Sequence, residues 1–516
     1  MLKNILTIRT IVILFGLIGS FSIILTTINF GLGLSPDSIA YLATSNNLLI
    51  GKGFISFDAQ PLVEWPPLYS TLIYSFSYTF SISTPVSALL LNVLLFGMTI
   101  YHFGMILAKS LFPKSLIIVG LLFVIFSIPV FGVSIWMWSE ILFITITLLF
   151  FRSLDSYLEK ANLIRLIMLV IITSLAILTR YIGIVILLTT IISIFIFNSN
   201  RIKKKIILIF TYSVLSLLPV LLWLIRNYLI SGTLFGRRGS TKNSFFPNLY
   251  VSIEKIFEWF VPDVLVSIKL FGFIILIITV SYLVFILLKK IKYKILLPNI
   301  NNRKLVIISL FISIYLITIV ILSSLKSFDP IGSRLLSPLY LPVTLLLLLI
   351  TRSIYNHINK MRYKVLLFTL LMLSLSYPAF TTFQTAVAHY NYGSGYSGNS
   401  WPKNEKELWL NEIKKSYISA PVVYSNDPFA VYYLVNIYAK WSPIKGFGDS
   451  DEIYVQLNDL NGVWPAEKES YLIWFKHTEF QQRSLYKPNE IRLISNLSIM
   501  DSSEIGTLYS VIIKDK

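Results

Sequence analysis

The stretch TIVILFGLIGSFSIILTTINF, residues 10–30, decides the class of fold. It carries no charge, and about 20 apolar residues in a helix cross the hydrocarbon core of a bilayer. Lys3 and Arg9 precede it, which places the N-terminus on the cytoplasmic side. It lacks a small-residue cleavage site, so it is expected to stay in the protein as a helix. Similar runs recur through the 516 residues, of which 55% are hydrophobic and 13% charged, with mean hydropathy +0.73. That composition marks a polytopic membrane protein.

The expected spans lie at about 10–30, 85–107, 115–133, 137–153, 162–179, 181–198, 206–226, 267–288, 304–324, 334–350 and 365–384. Eleven crossings put the C-terminus outside the cell. The basic clusters test the count. Lys109 and Lys114, Arg152 to Arg165, RIKKK at 201–205, KKIKYK at 289–294 and the stretch 352–364 all fall in loops assigned to the cytoplasm. They also explain the formal net charge of +19 without nucleic acid.

The outer side receives loops 31–84 and 227–266, a tight turn at 136–140 and everything beyond about 385. Segment 68–82 is apolar but short, and it reads as a helix lying in the interface; a twelfth span is the alternative, and it would invert every later loop. Residues 385–403 form a Gly/Ser/Asn-rich linker, and 404–516 carry ordinary charge density. PVVYSNDPFAVYYLV (421–435), SYLIWF (470–475) and GTLYSVII (506–513) read as strands, and a helix fits 404–416. The expected architecture is an all-α membrane domain, 1–384, with a small extracytoplasmic α/β domain at the C-terminus.

Some chemistry is excluded at once. There is no cysteine, and the four histidines show no metal-ligand spacing. The spans have almost no charge at their centres, where a transporter or pump places it. Acids and arginines gather instead at outer helix ends. Asp37 follows Ser35 and Pro36, a good helix start, and an acid there complements the helix dipole. Glu64 sits in EWPPLYS, stiffened by two prolines, where Trp65 and Tyr69 can anchor at the interface. Glu140 begins the fourth span. Arg180 lies in a tight turn, Arg226 ends a helix, Arg237 follows in GRRG, and Arg334 starts a span. Guanidinium groups at an outer surface suit lipid phosphate, either as ligands or by snorkelling to it.

The ordered pieces SPDSIAYLATSNNLLIGKGF, EWPPLYSTLI, WMWSEILFI, LTRYIGIVIL and DPIGSRLLSPLYLP, within residues 1–350, resemble the GT-C membrane glycosyltransferases. The likeness is to the protein-mannosyltransferase and aminoarabinose-transferase group, and VVYSNDPFAVYYL resembles its outer domain. Many relatives carry paired acids after the first span, whereas Ser38 follows Asp37 here. Some carry a basic residue where Trp65 stands. The resemblance implies a polyprenyl-phosphate sugar as donor and a lipid, glycan or protein as acceptor. Asp37 then matches the general base, and Arg334 is the expected phosphate partner, with Arg180, Arg226 and Arg237 behind it. Glu64 and Glu140 match acids that would orient hydroxyls or hold a divalent ion. Two other classes stay open on the residues alone: a flippase for lipid-linked saccharides, and a non-catalytic envelope assembly protein.

Overall fold

The computed structural model describes residues 2–110, 112–198, 201–236, 241, 244–262, 300–326, 330–399, 403–417, 422–447, 455–467, 469–478 and 483–514. Among these, seven helices are long and apolar enough to cross a membrane: Thr7–Thr27, Thr84–Lys109, Glu140–Glu159, Ile202–Ser231, Arg303–Leu325, Ser333–His357 and Met361–Tyr392. Several expose whole apolar faces. Leu17, Leu222 and Leu373 are each more than half exposed. Such surfaces suit lipid, and the protein is a multi-pass membrane protein.

The expected span at 115–133 is not a straight helix. It is Lys114–Ile125 followed by Ile128–Ser134, bent by 52°. Pro129 in the first turn of the second piece cannot continue the hydrogen-bond ladder of the first. The Tyr340 hydroxyl donates to Phe123 O at 3.0 Å, satisfying a carbonyl beside the break. The bent pair can make an eighth crossing. Leu163–Thr179 and Tyr181–Phe197 are apolar but shorter. The span expected at 267–288 lies outside the described residues.

The first long loop is ordered by two helices, Pro36–Leu49 and Leu68–Phe80. The second of them is the short apolar helix expected at 68–82. The loop is pinned to the turn before helix Glu140–Glu159. Gly33 N donates to Ile135 O at 2.9 Å, and Met137 N donates to Gly33 O at 3.0 Å. Gly33 is needed there, because a Cβ would fall 2.7 Å from the Trp136 ring.

Helix Met361–Tyr392 runs past the span expected at 365–384, and the chain then returns to the first loop. Leu34 N donates to Ser394 O at 3.2 Å, and Tyr396 N donates to Leu34 O at 2.9 Å. Beyond it lies a five-stranded mixed sheet, ordered β2-β1-β4-β7-β6. Its strands are β1 (Val423–Ser425), β2 (Ala439–Trp441), β4 (Glu469–Phe475), β6 (Ser495–Ser502) and β7 (Gly506–Ile513). A two-stranded piece pairs β3 (Ile444–Phe447) with β5 (Arg483–Leu485). Helix Lys403–Ser416 is present, as expected. The strand expected across 421–435 is corrected: β1 stops at Ser425, and Pro428–Val435 is a helix. Asp427 caps it, accepting from Ala430 N at 3.1 Å, and Pro428 fits its first turn. A cap signal overrode the β-branched and aromatic composition. This sheet region touches the first loop, where Phe429 packs on Phe57 and the Tyr438 hydroxyl donates to Asn47 Oδ1 at 2.6 Å.

Candidate active site

Four charged side chains from four segments meet at one end of the helix bundle. Asp37 stands in the first turn of helix Pro36–Leu49, with Ser35 as its N-cap. Ser38 Oγ accepts from Ser35 N at 3.0 Å and fixes that first turn. Glu140 is the first residue of helix Glu140–Glu159 and is fully buried. Arg180 occupies the break between two short apolar helices. The break is tight because a Cβ on Gly183 would fall 2.6 Å from Ala176 O. Arg334 lies in the short helix Ser333–Leu336, ahead of the apolar helix Tyr340–His357.

The ion pairs form a chain. Arg334 Nη2 donates to Asp37 Oδ2, and Arg334 Nε donates to Glu140 Oε1 at 2.8 Å. Arg180 Nη1 lies 2.6 Å from the same Glu140 oxygen. Two acids and two arginines therefore balance, linked through Arg334. The other carboxylate oxygen, Glu140 Oε2, is buried with no hydrogen-bond partner among the described residues, and so is Arg180 Nε. An orphaned buried acceptor costs about 1–3 kcal/mol, so it marks a place for a hydroxyl donor.

Aromatic side chains set the geometry. The Arg334 guanidinium stacks on Trp138, 4.2 Å from the ring centroid. Trp138 Nε1 donates to Ser35 Oγ at 2.7 Å, so one indole aligns both the Asp37 helix start and Arg334. The Tyr41 hydroxyl lies 3.1 Å from Ser139 Oγ, which also accepts from Arg180 Nη1 at 3.3 Å. Burial first, and then the charges of Asp37 and Glu140, push the Tyr41 phenol well above its ordinary range. It stays protonated and acts as a hydroxyl.

The remaining expected residues are placed differently. Trp65 meets Tyr41 edge-on at 6.4 Å, and Tyr69 does so at 5.1 Å. Tyr69 is buried and donates to Asn92 Oδ1 at 2.9 Å, so it is packed beneath the site rather than anchored in the interface. Arg226 spends its guanidinium on the first loop. Nη1 donates to Leu62 O at 2.6 Å, Nη2 donates to Phe54 O at 3.2 Å, and Trp223 stacks on it at 4.5 Å. It braces the segment before Glu64, whose side chain packs against Gly236. Arg237 lies outside the described residues. Among those described, no three His, Asp or Glu side chains gather as a metal site requires.

Tyr41 and Trp138 were not singled out from the sequence, and Ser139 was legible there only as a helix cap. Tyr41 carries a legible signal, since it follows Asp37 by four residues on one helix and shares its face.

No protein-family model matches the chain, and no curated protein matches it in sequence. Solved structures match it in fold. ArnT from Cupriavidus metallidurans bound to undecaprenyl phosphate aligns over 97% of both chains, with TM-score 0.57 and 10% identity. The same protein in the apo state gives TM-score 0.56 over 97% of both chains, again at 10% identity. The archaeal oligosaccharyltransferase AglB from Archaeoglobus fulgidus, in complex with an inhibitory peptide and a dolichol-phosphate, aligns over 90% of this chain and 69% of its own. Its TM-score is 0.54 at 13% identity. The fold is GT-C-like, as the ordered sequence pieces implied. At these identities the likeness is one of fold.

Proposed function

We propose that this chain is a membrane glycosyltransferase that moves a sugar from a polyprenyl-phosphate donor to an acceptor at the outer face of the cytoplasmic membrane. The observation that carries the reading is the convergence of Asp37, Glu140, Arg180 and Arg334, which are far apart in sequence, at one end of the bundle. The ArnT and AglB structures hold undecaprenyl phosphate and dolichol-phosphate respectively, which supports a lipid-phosphate donor for this fold.

The reaction needs little acid catalysis, because phosphate leaves as an anion. Asp37 accepts the proton of the acceptor nucleophile. The nucleophile forms a bond to the anomeric carbon as the bond from that carbon to the phosphate oxygen breaks, with inversion. Arg334, with Arg180 behind it, meets the departing phosphate. The phosphate competes with Asp37 for Arg334 Nη2, so donor binding frees the base. Glu140 holds both guanidiniums through Oε1 and offers Oε2 to a hydroxyl of the sugar or acceptor.

An eleven-span topology with a cytoplasmic N-terminus puts this end outside, together with the C-terminal sheet region. The basic clusters at the opposite end support that orientation. The test is lipid analysis of a deletion strain. A polyprenyl-phosphate sugar accumulates, and a sugar is lost from an envelope glycan, lipid or protein. Unchanged lipid-linked sugars with an intact envelope would refute the proposal.

A further inference from the structure

The opposite end of the bundle holds a cavity of about 1010 Å³, between the start of helix Leu2–Thr27, the ends of Thr84–Lys109 and Glu140–Glu159, and the starts of Leu163–Thr179 and Ile300–Leu325. Its lining is charged at one end and apolar along the rest. Five cationic side chains, Arg9, Lys109, Arg152, Arg165 and Lys304, face a single carboxylate, Asp155. That carboxylate is already committed: it lies 2.6 Å from Arg303, 2.9 Å from Lys109 and 3.6 Å from Lys304.

Arg152 is the telling residue. It sits two turns inside helix Glu140–Glu159, about 10 Å from its end at 1.5 Å per residue. Its guanidinium meets buried His102 and has no carboxylate partner among the described residues. Arg165 donates to the carbonyls of Ser156 and Lys160 at 2.6 and 3.2 Å and has no carboxylate there either. Positive charge that merely orients a helix lies in a loop. An arginine inside a helix, against a buried histidine and without a carboxylate, is costly unless an anion meets it.

The walls show what kind of anion. Met105, Leu149 and Leu345 line the cavity towards the centre of the bundle. Ile164 and Met168 line it too, yet they are 74% and 54% exposed, so it opens sideways towards lipid. The lining on this helix, Leu149 to Ser156, spans about 10 Å, apolar at one end and charged at the other.

We propose that this cavity binds one anionic glycerophospholipid of the leaflet opposite the Asp37–Arg334 site. Its phosphate sits on Arg152 and Arg165, and an acyl chain runs along Leu149 and Met168. A soluble phosphate ester would use the same arginines but leave the apolar walls bare.

Native mass spectrometry of the full-length protein tests this, with dioleoyl phosphatidylglycerol, dioleoyl phosphatidylcholine and glycerol 1-phosphate as probes. Phosphatidylglycerol is retained in preference to phosphatidylcholine, and glycerol 1-phosphate is not retained. Arg152→Gln and Arg165→Gln each weaken phosphatidylglycerol about fivefold. Leu149→Trp, which fills the apolar part and keeps every charge, removes it as well. Melting temperatures identify any variant that fails to fold, and the wild-type probe comparison stands without variants. Equal retention of the two lipids would overturn the proposal. So would unchanged phosphatidylglycerol binding in folded Arg152→Gln or Leu149→Trp protein, or glycerol 1-phosphate held as well as the lipid.

Discussion

The two ends of the helix bundle both bury acids among cations, and they do it differently. At one end Asp37 and Glu140 share Arg334, with Arg180 on Glu140, so charge balances while Glu140 Oε2 stays unsatisfied among the described residues. At the other end Asp155 takes Lys109, Arg303 and Lys304, and Glu159 takes Lys109 at 2.8 Å. Cations exceed acids there, and Asp155 is saturated. The first arrangement leaves acceptor capacity that the proposed reaction would use. The second ties three helices together and leaves positive charge facing a cavity.

The comparison breaks most sharply at the acids themselves. Asp37→Asn keeps the shape of the helix start but removes the proton acceptor, so sugar transfer falls by about 10²–10⁴-fold. It also removes the pair with Arg334, but Asp37 is 22% exposed and Arg334 keeps Glu140 as partner, so its melting temperature falls less than that of Asp155→Asn. Transfer assays beside thermal melts separate the two. Asp155→Asn shows its effect in stability instead. Removing one partner of a buried ion pair costs about 3–5 kcal/mol, and three cations are left facing a neutral amide. Denaturant or thermal unfolding in detergent reads that loss. If Asp37→Asn unfolds the protein while Asp155→Asn does not, the roles of the two ends are reversed.

Arg334→Lys sharpens the contrast within the site. Lysine keeps the charge but lacks the planar fork that reaches Asp37 and Glu140 together, and it stacks less well on Trp138. The expected loss in kcat/KM is about 10²-fold, on the scale of removing one preorganised donor. Tyr41→Phe gives the smallest effect. It removes the hydroxyl beside Ser139, a contact worth about 0.5–1.5 kcal/mol, so turnover falls by less than about tenfold. A larger loss would make Tyr41 a participant in the chemistry.

Much of this was legible in the chain. Apolar runs and basic loops marked the membrane helices, because crossing a bilayer leaves few other solutions. Asp37, Glu140, Arg180 and Arg334 were visible as charges at helix ends, where nothing in the membrane pattern asks for them. Their mutual contacts were not visible, because they depend on Gly33 bridging to Ile135 and on Trp138 lying between Ser35 and Arg334. The bend at Pro129 was hidden inside an unbroken apolar run. The Asp427–Pro428 cap hid inside a strand-like composition. Arg226 was expected to stand behind Arg334 as a phosphate contact, yet its partners are backbone carbonyls of the first loop, and only the fold shows it bracing that loop. The Asp155 network escaped for a related reason. Its lysines and arginines were already explained by orientation, and that explanation gave no cause to look for partners.

The central claim is that Arg334 holds the donor phosphate while Asp37 acts as base. A structure of the protein with a short-chain polyprenyl phosphate tests it most directly. The account predicts the phosphate within hydrogen-bond reach of Arg334 and Arg180, with Arg334 Nη2 released from Asp37 and Asp37 facing the position of the anomeric carbon. A phosphate bound elsewhere, with the Asp37–Arg334 pair intact, would contradict it.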